Sequence, residues 1–519
     1  MAKKPKAKQV QTTAQRLDSI VKSARKIMRK DKGLNGDLDR LPMLTWIMFL
    51  KFLDDMERME EEKAEMSGKR FKGAIEAPYR WRDWAAEDAG ITGPDLLRFL
   101  TAEETTMPDG SKGPGLFAYL KGLRGANGRR DRKDVVATVF RGLTNRMESG
   151  YLLRDVIHLV DGIHFDSSEE IHTLGRLYET LLREMRDAAG DSGEFYTPRP
   201  IVKFIVQVTN PQLGEKVLDP ACGTGGFLTE AFMHMAEQAN TVEKRQILQD
   251  ASIYGGEAKS LPFLLVQMNL LLHGLEAAQI NPNNSLNVRL AEIGEGERFE
   301  VILSNPPFAG EEETGILNNF PEDRRTTETA LLFLQMIMRR LKREGKGRAA
   351  VVVPHGVLFG GGIAARIKAD LIKQFNLHTV VRLPEGVFSP YTGIPTNILF
   401  FDTKKATGDI WYYEQPKPEG RKNYTKTAPL TSDELQPCLD WWNAREENEQ
   451  AWKVKGNDLI ETDETGRVLA CDLDIKNPNI GGVEDHRTPL EIIDGIETKE
   501  RRVLAIIANI KRTLSEMAS

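Results

Sequence analysis

The spacing of apolar positions divides the chain into three regions. Up to about residue 160 the pattern is helical, with clear examples at 41–56 and 135–160. From about residue 161 to 415, helical stretches alternate with short runs of apolar and β-branched residues. The rest of the chain, 416–519, is polar and ends in a predicted helix at about 497–517 that carries one apolar stripe.

The middle region has the pattern of an α/β domain. Six short runs are predicted to be strands separated by helices, at 216–218, 251–254, 299–303, 348–353, 379–382 and 397–401. Strands that alternate with helices form βαβ units and a mostly parallel sheet. We therefore predict three parts: an all-α domain at 1–160, an α/β domain at 161–415 and a C-terminal region at 416–519. Ligands of such sheets bind at the carboxyl ends of the strands.

Composition limits the class of protein. The chain has 519 residues, of which 40% are hydrophobic and 28% are charged, as expected for a soluble protein of more than one domain. No apolar run is long enough to cross a bilayer, and the N-terminus lacks the apolar core of a secretory signal. Cys222, Cys438 and Cys471 lie far apart, which argues against disulfides or a metal site and favours a reducing cytoplasm. Trp46 and the pair Trp81 and Trp84 are expected to fill the core of the helical domain.

Charge is distributed unevenly, although the net charge is only -5. Residues 1–35 hold 11 Lys or Arg against two acids, Asp18 and Asp31. Such a basic arm could bind a phosphate backbone, or it could be a solvated tail followed by an ordinary helix face.

A glycine-rich turn follows the first predicted strand. The segment from Asp219 to Phe227 reads Asp-Pro-Ala-Cys-Gly-Thr-Gly-Gly-Phe, and a helix is predicted from 228 to about 238. Glycines let the backbone approach a ligand, and the helix N-terminus offers free N–H groups. The pattern is neither the dinucleotide fingerprint nor a P-loop. The acid before the turn suits a cationic ligand, so Asp219 is a candidate to hold the amino group of a methionine moiety. The alternative is a turn that serves only packing.

An acid also closes the second predicted strand. Glu257 stands where doubly wound folds place a carboxylate on ribose hydroxyls.

A proline-stiffened loop ends a later strand. It reads Asn305-Pro306-Pro307-Phe308. Consecutive prolines fix φ and lack N–H groups, so their carbonyls are rigidly placed acceptors. The Asn305 side-chain oxygen and the Pro306 carbonyl could each accept one N–H of an amine on an aromatic ring, and Phe308 could stack on a base rotated out of a duplex. A stiff loop without chemistry is the alternative.

These motifs, in this order, resemble the adenine-N6 DNA methyltransferases of the gamma arrangement. More closely, the chain resembles the modification subunits of type I restriction–modification systems over nearly its whole length. The resemblance rests on the helical N-terminal region and on the segments 193–198 (Gly-Glu-Phe-Tyr-Thr-Pro), 219–227, 268–274, 305–308 and 383–388.

The resemblance implies a Rossmann-like methyltransferase domain with a mostly parallel seven-stranded sheet, an all-α domain before it and a helical C-terminal tail after it. It implies S-adenosyl-L-methionine as the cofactor and no metal. The cofactor-binding residues would be Glu194, Phe195, Tyr196, Thr197, Pro198, Asp219, Ala221, Gly223, Thr224, Gly225, Gly226, Phe227, Glu257, Asn284, Ser285 and Leu286. Family members commonly carry an aspartate for the cofactor's adenine where this chain has the neutral Asn284.

The resemblance also implies partners. These are double-stranded DNA, a specificity subunit that selects the DNA sequence and usually joins two copies of this chain, and in some systems a motor–nuclease restriction subunit. The C-terminal helix could dock on a partner or pack on its own domain.

Three other functions fit parts of the pattern. Related loops methylate RNA bases or protein glutamine side chains, and a methyltransferase of another phage-defence system would carry the same motifs. A catalytically silent DNA-binding scaffold is the alternative from a different class, and the intact Asp219, Glu257, Asn305 and Phe308 argue against it.

Overall fold

A computed structural model describes residues 13–86, 90–107, 110–125, 131–163, 197–276, 278–308, 310, 312–389, 392–479 and 500–501. The α-helices in these ranges are α1 Thr13–Met28, α2 Asp37–Met66, α3 Trp81–Trp84, α4 Gly93–Thr101, α5 Leu116–Gly122, α6 Arg132–Arg141, α7 Gly150–Asp161, α8 Arg199–Thr209, α9 Gly226–Ala236, α10 Val242–Ala251, α11 Ser260–Leu272, α12 Thr314–Leu317, α13 Thr329–Arg340, α14 Gly362–Gln374 and α15 Gln436–Asn443. The strands are β1 Thr105–Thr106, β2 Lys112–Gly113, β3 Val217–Asp219, β4 Ile253–Gly256, β5 Gln279–Asn281, β6 Val301–Ser304, β7 Arg348–Pro354, β8 Asn376–Leu383, β9 Thr396–Asp402, β10 Asp409–Glu414, β11 Ala451–Lys455, β12 Ile460–Thr462 and β13 Val468–Cys471.

In the described part of the N-terminal region, seven helices, α1 to α7, pack around one apolar core. The three tryptophans predicted to fill this core are buried in it, which confirms that prediction. The predicted helical stretch 135–160 is divided into α6 and α7. A new helix begins because the Ser149 hydroxyl accepts the N–H of Leu152, while the Asp31 carboxylate accepts the N–H groups of Glu148 and Ser149.

The central sheet has nine strands in the order β11-β10-β8-β9-β7-β6-β3-β4-β5. Strand β9 is antiparallel to β7 and β8, β11 is antiparallel to β10, and the remaining neighbours are parallel. All six predicted strands are present, and the α/β class is confirmed. Strands β3 to β9 supply the seven expected strands, and β10 and β11 widen the sheet beyond them. The sheet therefore continues past residue 415, where a domain boundary was predicted, and that boundary stays a prediction.

The order of the central strands determines where the sheet can bind a ligand. The chain passes from β3 to β4 on one side and later returns to β6 on the other side of β3. Where the connections from two neighbouring strands run to opposite sides of the sheet, a crevice forms between them at the carboxyl ends of the strands. The loops after β3 and β6 therefore meet at this crevice.

One helix belongs to both cores. Every residue of α11 from 264 to 272 is buried. Five of its apolar side chains join the core of the N-terminal helices, namely Leu264, Leu265, Met268, Leu271 and Leu272. Val266 and Leu270 join the core of the sheet. Beside this helix, the Arg132 guanidinium donates to Glu276 at 2.8 Å and to Glu60 at 2.9 Å, so an ion-pair network also connects the two parts.

Two predictions lie mostly or wholly outside the described residues. They are the basic arm, of which 1–12 is not described, and the C-terminal helix at about 497–517, of which only 500–501 are described. In the part of the chain that the structure covers, no helix is both long and apolar enough to cross a membrane.

Candidate active site

The glycine-rich turn connects β3 to α9 with two residues in the left-handed region, Gly223 at φ 52° and Gly225 at φ 83°. Its backbone is fixed from two sides. The Cys222 N–H donates to the Gly256 carbonyl at 3.0 Å, and the side-chain amide of Asn269 on α11 donates to the Thr224 carbonyl at 3.0 Å. A Cβ on Gly225 would lie 2.6 Å from Cγ2 of Val266, so the turn is packed against α11 as closely as a glycine allows.

Asp219 joins the glycine-rich turn to the predicted catalytic loop, Asn305 to Phe308. Its Oδ1 accepts the Ala221 N–H at 3.2 Å and the Ser304 hydroxyl at 2.9 Å. Burial raises the pKa of the Asp219 carboxyl to about 7, although the hydrogen bond from Ser304 opposes that shift. Because Ser304 directly precedes Asn305, this bond holds the two loops at one place.

Glu257 holds the glycine-rich turn from the end of β4. One carboxylate oxygen accepts the Gly223 N–H at 3.0 Å and the other accepts the Lys259 N–H at 2.8 Å. Burial raises the pKa of this carboxyl to about 7 as well. Two buried carboxylates with raised pKa values, at the ends of neighbouring strands, mark a candidate functional site.

The segment Asn284 to Leu286 borders the same turn. The Ser285 hydroxyl donates to the Pro220 carbonyl at 2.7 Å, and the side-chain amide of Asn284 donates to the Glu312 carboxylate at 3.2 Å. A carboxylate from the segment after the catalytic loop therefore lies beside Asn284, the position where an acid was expected. The Leu286 side chain is buried in an apolar core.

The catalytic loop begins where β6 ends. The Asn305 side-chain nitrogen donates to the Thr197 hydroxyl at 3.1 Å, and among the described residues the buried Asn305 Oδ1 has no hydrogen-bond partner. The Phe308 ring is half-buried and meets the Phe388 ring edge to face, with centroids 5.8 Å apart. The structure thus brings Thr197 to the loop that was predicted to be catalytic.

The predicted site residues divide into three groups. Five predicted segments around the glycine-rich turn are brought together, through Thr197, Asp219, Ala221, Gly223, Thr224, Glu257, Asn284, Ser285 and Asn305. Phe227 is buried in the apolar core of the sheet. Glu194, Phe195 and Tyr196 lie outside the described residues.

Sequence reasoning missed three residues that shape the site. Ser304 directly precedes the 305–308 motif and Phe388 ends the 383–388 segment, but their partners are far away in the sequence. Gly256 closes the turn, since a Cβ there would lie 2.2 Å from the Ser285 hydroxyl oxygen and 3.0 Å from the Pro220 carbonyl oxygen. The Gly255-Gly256 pair before Glu257 was the available signal for this close approach.

Comparisons with known proteins agree with this geometry. The chain matches the family model of N-6 DNA methylases over residues 169–470 and that of the HsdM N-terminal domain over residues 17–160. The methylase subunit of the type I restriction enzyme EcoEI from Escherichia coli is 44% identical over 496 residues, which are 94% of this chain and 95% of the relative.

Solved structures agree as well. A modification subunit of a candidate type I restriction enzyme from Vibrio vulnificus YJ016 is 65% identical, with a TM-score of 0.87, and the match covers 91% of this chain and 99% of the other. A chain from work on complex assembly of the type I restriction–modification system is 36% identical, with a TM-score of 0.71 over 98% and 99% of the two chains. The protein therefore belongs to the methylase, or modification, subunits of type I restriction–modification enzymes, within the N-6 DNA methylases.

Proposed function

We propose that the chain transfers a methyl group from S-adenosyl-L-methionine to N6 of an adenine in double-stranded DNA, and that Asn305-Pro306-Pro307-Phe308 is where the transfer takes place. Membership of the type I modification subunits gives the reaction class. The assignment of the reaction to this loop rests on the arrangement of Asn305.

The orientation of the Asn305 amide is the observation that carries the proposal. Its nitrogen is engaged by Thr197, and no donor in the described part of the chain reaches its buried Oδ1. A buried polar atom without a partner costs about 1–3 kcal/mol. An amine N–H of a substrate would satisfy this atom, and the carbonyl of Pro306 is the natural acceptor for the second N–H of the same amine.

These acceptors explain how the loop acts. The lone pair of an exocyclic amine is delocalised into the ring. Two acceptors that hold the two N–H groups favour a tetrahedral nitrogen and aim its lone pair away from the ring plane. They also stabilise the positive charge that develops on nitrogen as the new bond forms. Phe308, supported by Phe388, offers an apolar face on which a base outside the duplex can stack.

The residues around the glycine-rich turn fit the cofactor. S-adenosyl-L-methionine supplies an activated sulfonium methyl group when bound. Asp219 and Glu257 are buried carboxylates that keep spare acceptor capacity, which suits an ammonium group and ribose hydroxyls respectively. The start of α9 supplies N–H groups, and the Asn284–Glu312 pair supplies polar atoms for an adenine edge.

The raised pKa values predict how cofactor affinity depends on pH. Both carboxyls have a pKa of about 7 without ligand, and a cationic or hydroxyl-bearing ligand favours their charged forms. Binding therefore lowers these pKa values and is expected to strengthen about 3- to 10-fold between pH 6 and pH 8. Calorimetric titration with S-adenosylhomocysteine, the demethylated product, measures this dependence.

A matched variant provides the control. In Asp219→Asn the carboxyl at 219 no longer titrates, so the pH dependence should become shallower even if affinity falls. An affinity independent of pH in the unmodified protein would contradict the assignment of these carboxylates to the cofactor.

We extend the proposal to partners. Two copies of the chain are expected to join one specificity subunit on double-stranded DNA, and a motor–nuclease subunit can join the assembly. Support comes from the similarity to a chain studied for type I complex assembly. The C-terminal helix near 497–517 is the proposed contact with the specificity subunit.

Labelled methyl transfer tests the function directly. The chain, with and without its specificity subunit, is incubated with labelled cofactor and with DNA, RNA or a protein extract. Label in N6-methyladenine of DNA, dependent on the specificity subunit, is the expected result. Label in RNA or in protein glutamine would instead support the alternative substrates.

A further inference from the structure

An exposed aromatic side chain stands at the edge of the sheet that carries the catalytic loop. Among the described residues, seven large apolar side chains are notably exposed: Met66, Tyr151, Val242, Ile247, Phe359, Ile394 and Leu469. Phe359 is 48% exposed and follows β7, the neighbour of β6. Burying a phenylalanine side chain stabilises a protein, so a half-exposed ring forgoes part of that stabilisation.

Strand register places Phe359 on the same side as Asn305. Ser304, the last residue of β6, pairs with Val351, and β7 continues in the same direction to Pro354. The next residue, His355, donates its N–H to the Pro395 carbonyl at 2.9 Å, and a 3₁₀ turn at His355–Val357 leads to Phe359. Parallel strands end at one edge, so Phe359 and the catalytic loop face the same surroundings.

The backbone that presents Phe359 is held on both sides. The preceding Leu358 is fully buried, and its carbonyl accepts the Lys368 ammonium and the Leu473 N–H, both at 2.8 Å. The next residue, Gly360, turns the chain at φ 100°. The Phe359 ring itself meets His355 edge to face, with centroids 5.6 Å apart. The ring is therefore pre-positioned rather than collapsed onto the surface.

A duplex that delivers a base to Asn305 must lie over this edge. Extruding a base costs a few kcal/mol of stacking and pairing, and it leaves a gap in the helix. In proteins that deform DNA, apolar side chains insert between neighbouring base pairs and offset the lost stacking. Stacking on an aromatic ring also stabilises exposed bases. An exposed aromatic ring at the same edge of the sheet as the proposed extrusion site has the shape and chemistry to fill the gap.

We propose that Phe359 inserts into the duplex as an aromatic wedge and occupies the gap left by the extruded adenine. This inference rests on the proposed function, because it requires a base to leave the duplex for the catalytic loop. The proposed binding partner of the Phe359 ring is DNA, at the target base pair. Contact with a protein partner is the competing explanation.

The test compares two DNA substrates in the methyltransferase assembled with its specificity subunit. In one, the target adenine is paired with thymine. In the other, an abasic site stands opposite the target, so less pairing and stacking opposes extrusion. Phe359→Ala should lower kcat/KM on the paired duplex about 10- to 100-fold, and the abasic duplex should restore it to within about threefold of the unmodified enzyme. A 2-aminopurine at the target should show less extrusion with the variant on the paired duplex.

Matched variants separate a wedge from a merely structural residue. Phe359→Trp keeps a large aromatic ring and should retain most activity on both duplexes. Val242→Ala, which trims an exposed apolar side chain on α10, should leave both substrates unaffected. Cofactor affinity should be unchanged in all three.

Three results would overturn the wedge: equal loss on both duplexes, loss of assembly with the specificity subunit, or unchanged activity of Phe359→Ala on the paired duplex. Asn305→Ala keeps this distinct from the proposed function, because that variant should be inactive on both duplexes. If Asn305→Ala stayed active, the proposed function would fail, whatever the variants at 359 did.

Discussion

Replacing Asn305 by alanine is expected to lower methyl transfer to DNA roughly 100- to 1,000-fold while cofactor affinity stays within about twofold. The variant removes a buried acceptor that has no donor among the described residues, and the amine loses the group that orients its lone pair. The carboxylates proposed to hold the cofactor, Asp219 and Glu257, do not contact the Asn305 side chain through any hydrogen bond that the structure describes. Single-turnover rates and calorimetric titration with S-adenosylhomocysteine measure the two quantities separately.

Two further variants refine this prediction. Thr197→Val removes the acceptor that fixes the amide nitrogen of Asn305, so the amide can turn and the rate should fall about 10-fold. Asn283→Ala removes an exposed amide near the glycine-rich turn and should have little effect on the rate of methyl transfer. A folded Asn305→Ala protein that methylates DNA at the normal rate would rule out the proposed role of this loop.

Replacing Gly225 by alanine is expected to weaken cofactor binding at least 10-fold. Two costs act together, because Gly225 has φ 83° and because a Cβ would lie 2.6 Å from a methyl group of Val266. Val266 lies on α11, which is buried between two cores, so the glycine-rich turn must move instead. Equilibrium titration with S-adenosylhomocysteine and thermal unfolding with and without it give the affinity and the stability.

The chain offers a matched control for this variant. Gly274 also has a positive φ, 90°, but a Cβ there would meet nothing within 4 Å. Gly274→Ala therefore reports the conformational cost alone, about 1 kcal/mol of stability, and should leave cofactor binding intact. Adding Val266→Ala to Gly225→Ala should recover part of the lost affinity. Equal behaviour of the two glycine variants would mean that the contact with α11 is unimportant.

The motifs of the site could be predicted because each is local. Asp219 and Glu257 each follow a short apolar run, and Asn305 follows another, so the pattern alone places all three at one edge of a sheet. The bonds that assemble them are not local. Asn305 meets Thr197 across 108 positions, and Ser304 meets Asp219 across 85. No pattern along the chain reports which side-chain atoms remain unpaired once such distant segments pack.

In the fold, too, local features could be predicted from the sequence and those that depend on distant contacts could not. Buried central strands were predicted because their apolar runs are continuous. Strand β5 was missed because it has only three residues and two of them are exposed. Strands β10 and β11 were missed because buried and more exposed residues are mixed along both. The interruption between α6 and α7 was missed because it depends on the distant Asp31 carboxylate.

The shared helix α11 has a consequence for how relatives of this protein can exchange parts. Five apolar side chains of α11 complete the N-terminal core, while Val266 supports the cofactor turn. Recombination at a point between α7 and β3 would therefore exchange the helical domain but not α11, the helix against which that domain packs. Such hybrids would work only when the incoming domain tolerates the resident α11. Among relatives, substitutions in the helical domain and in α11 should therefore co-vary, even though about a hundred residues separate them.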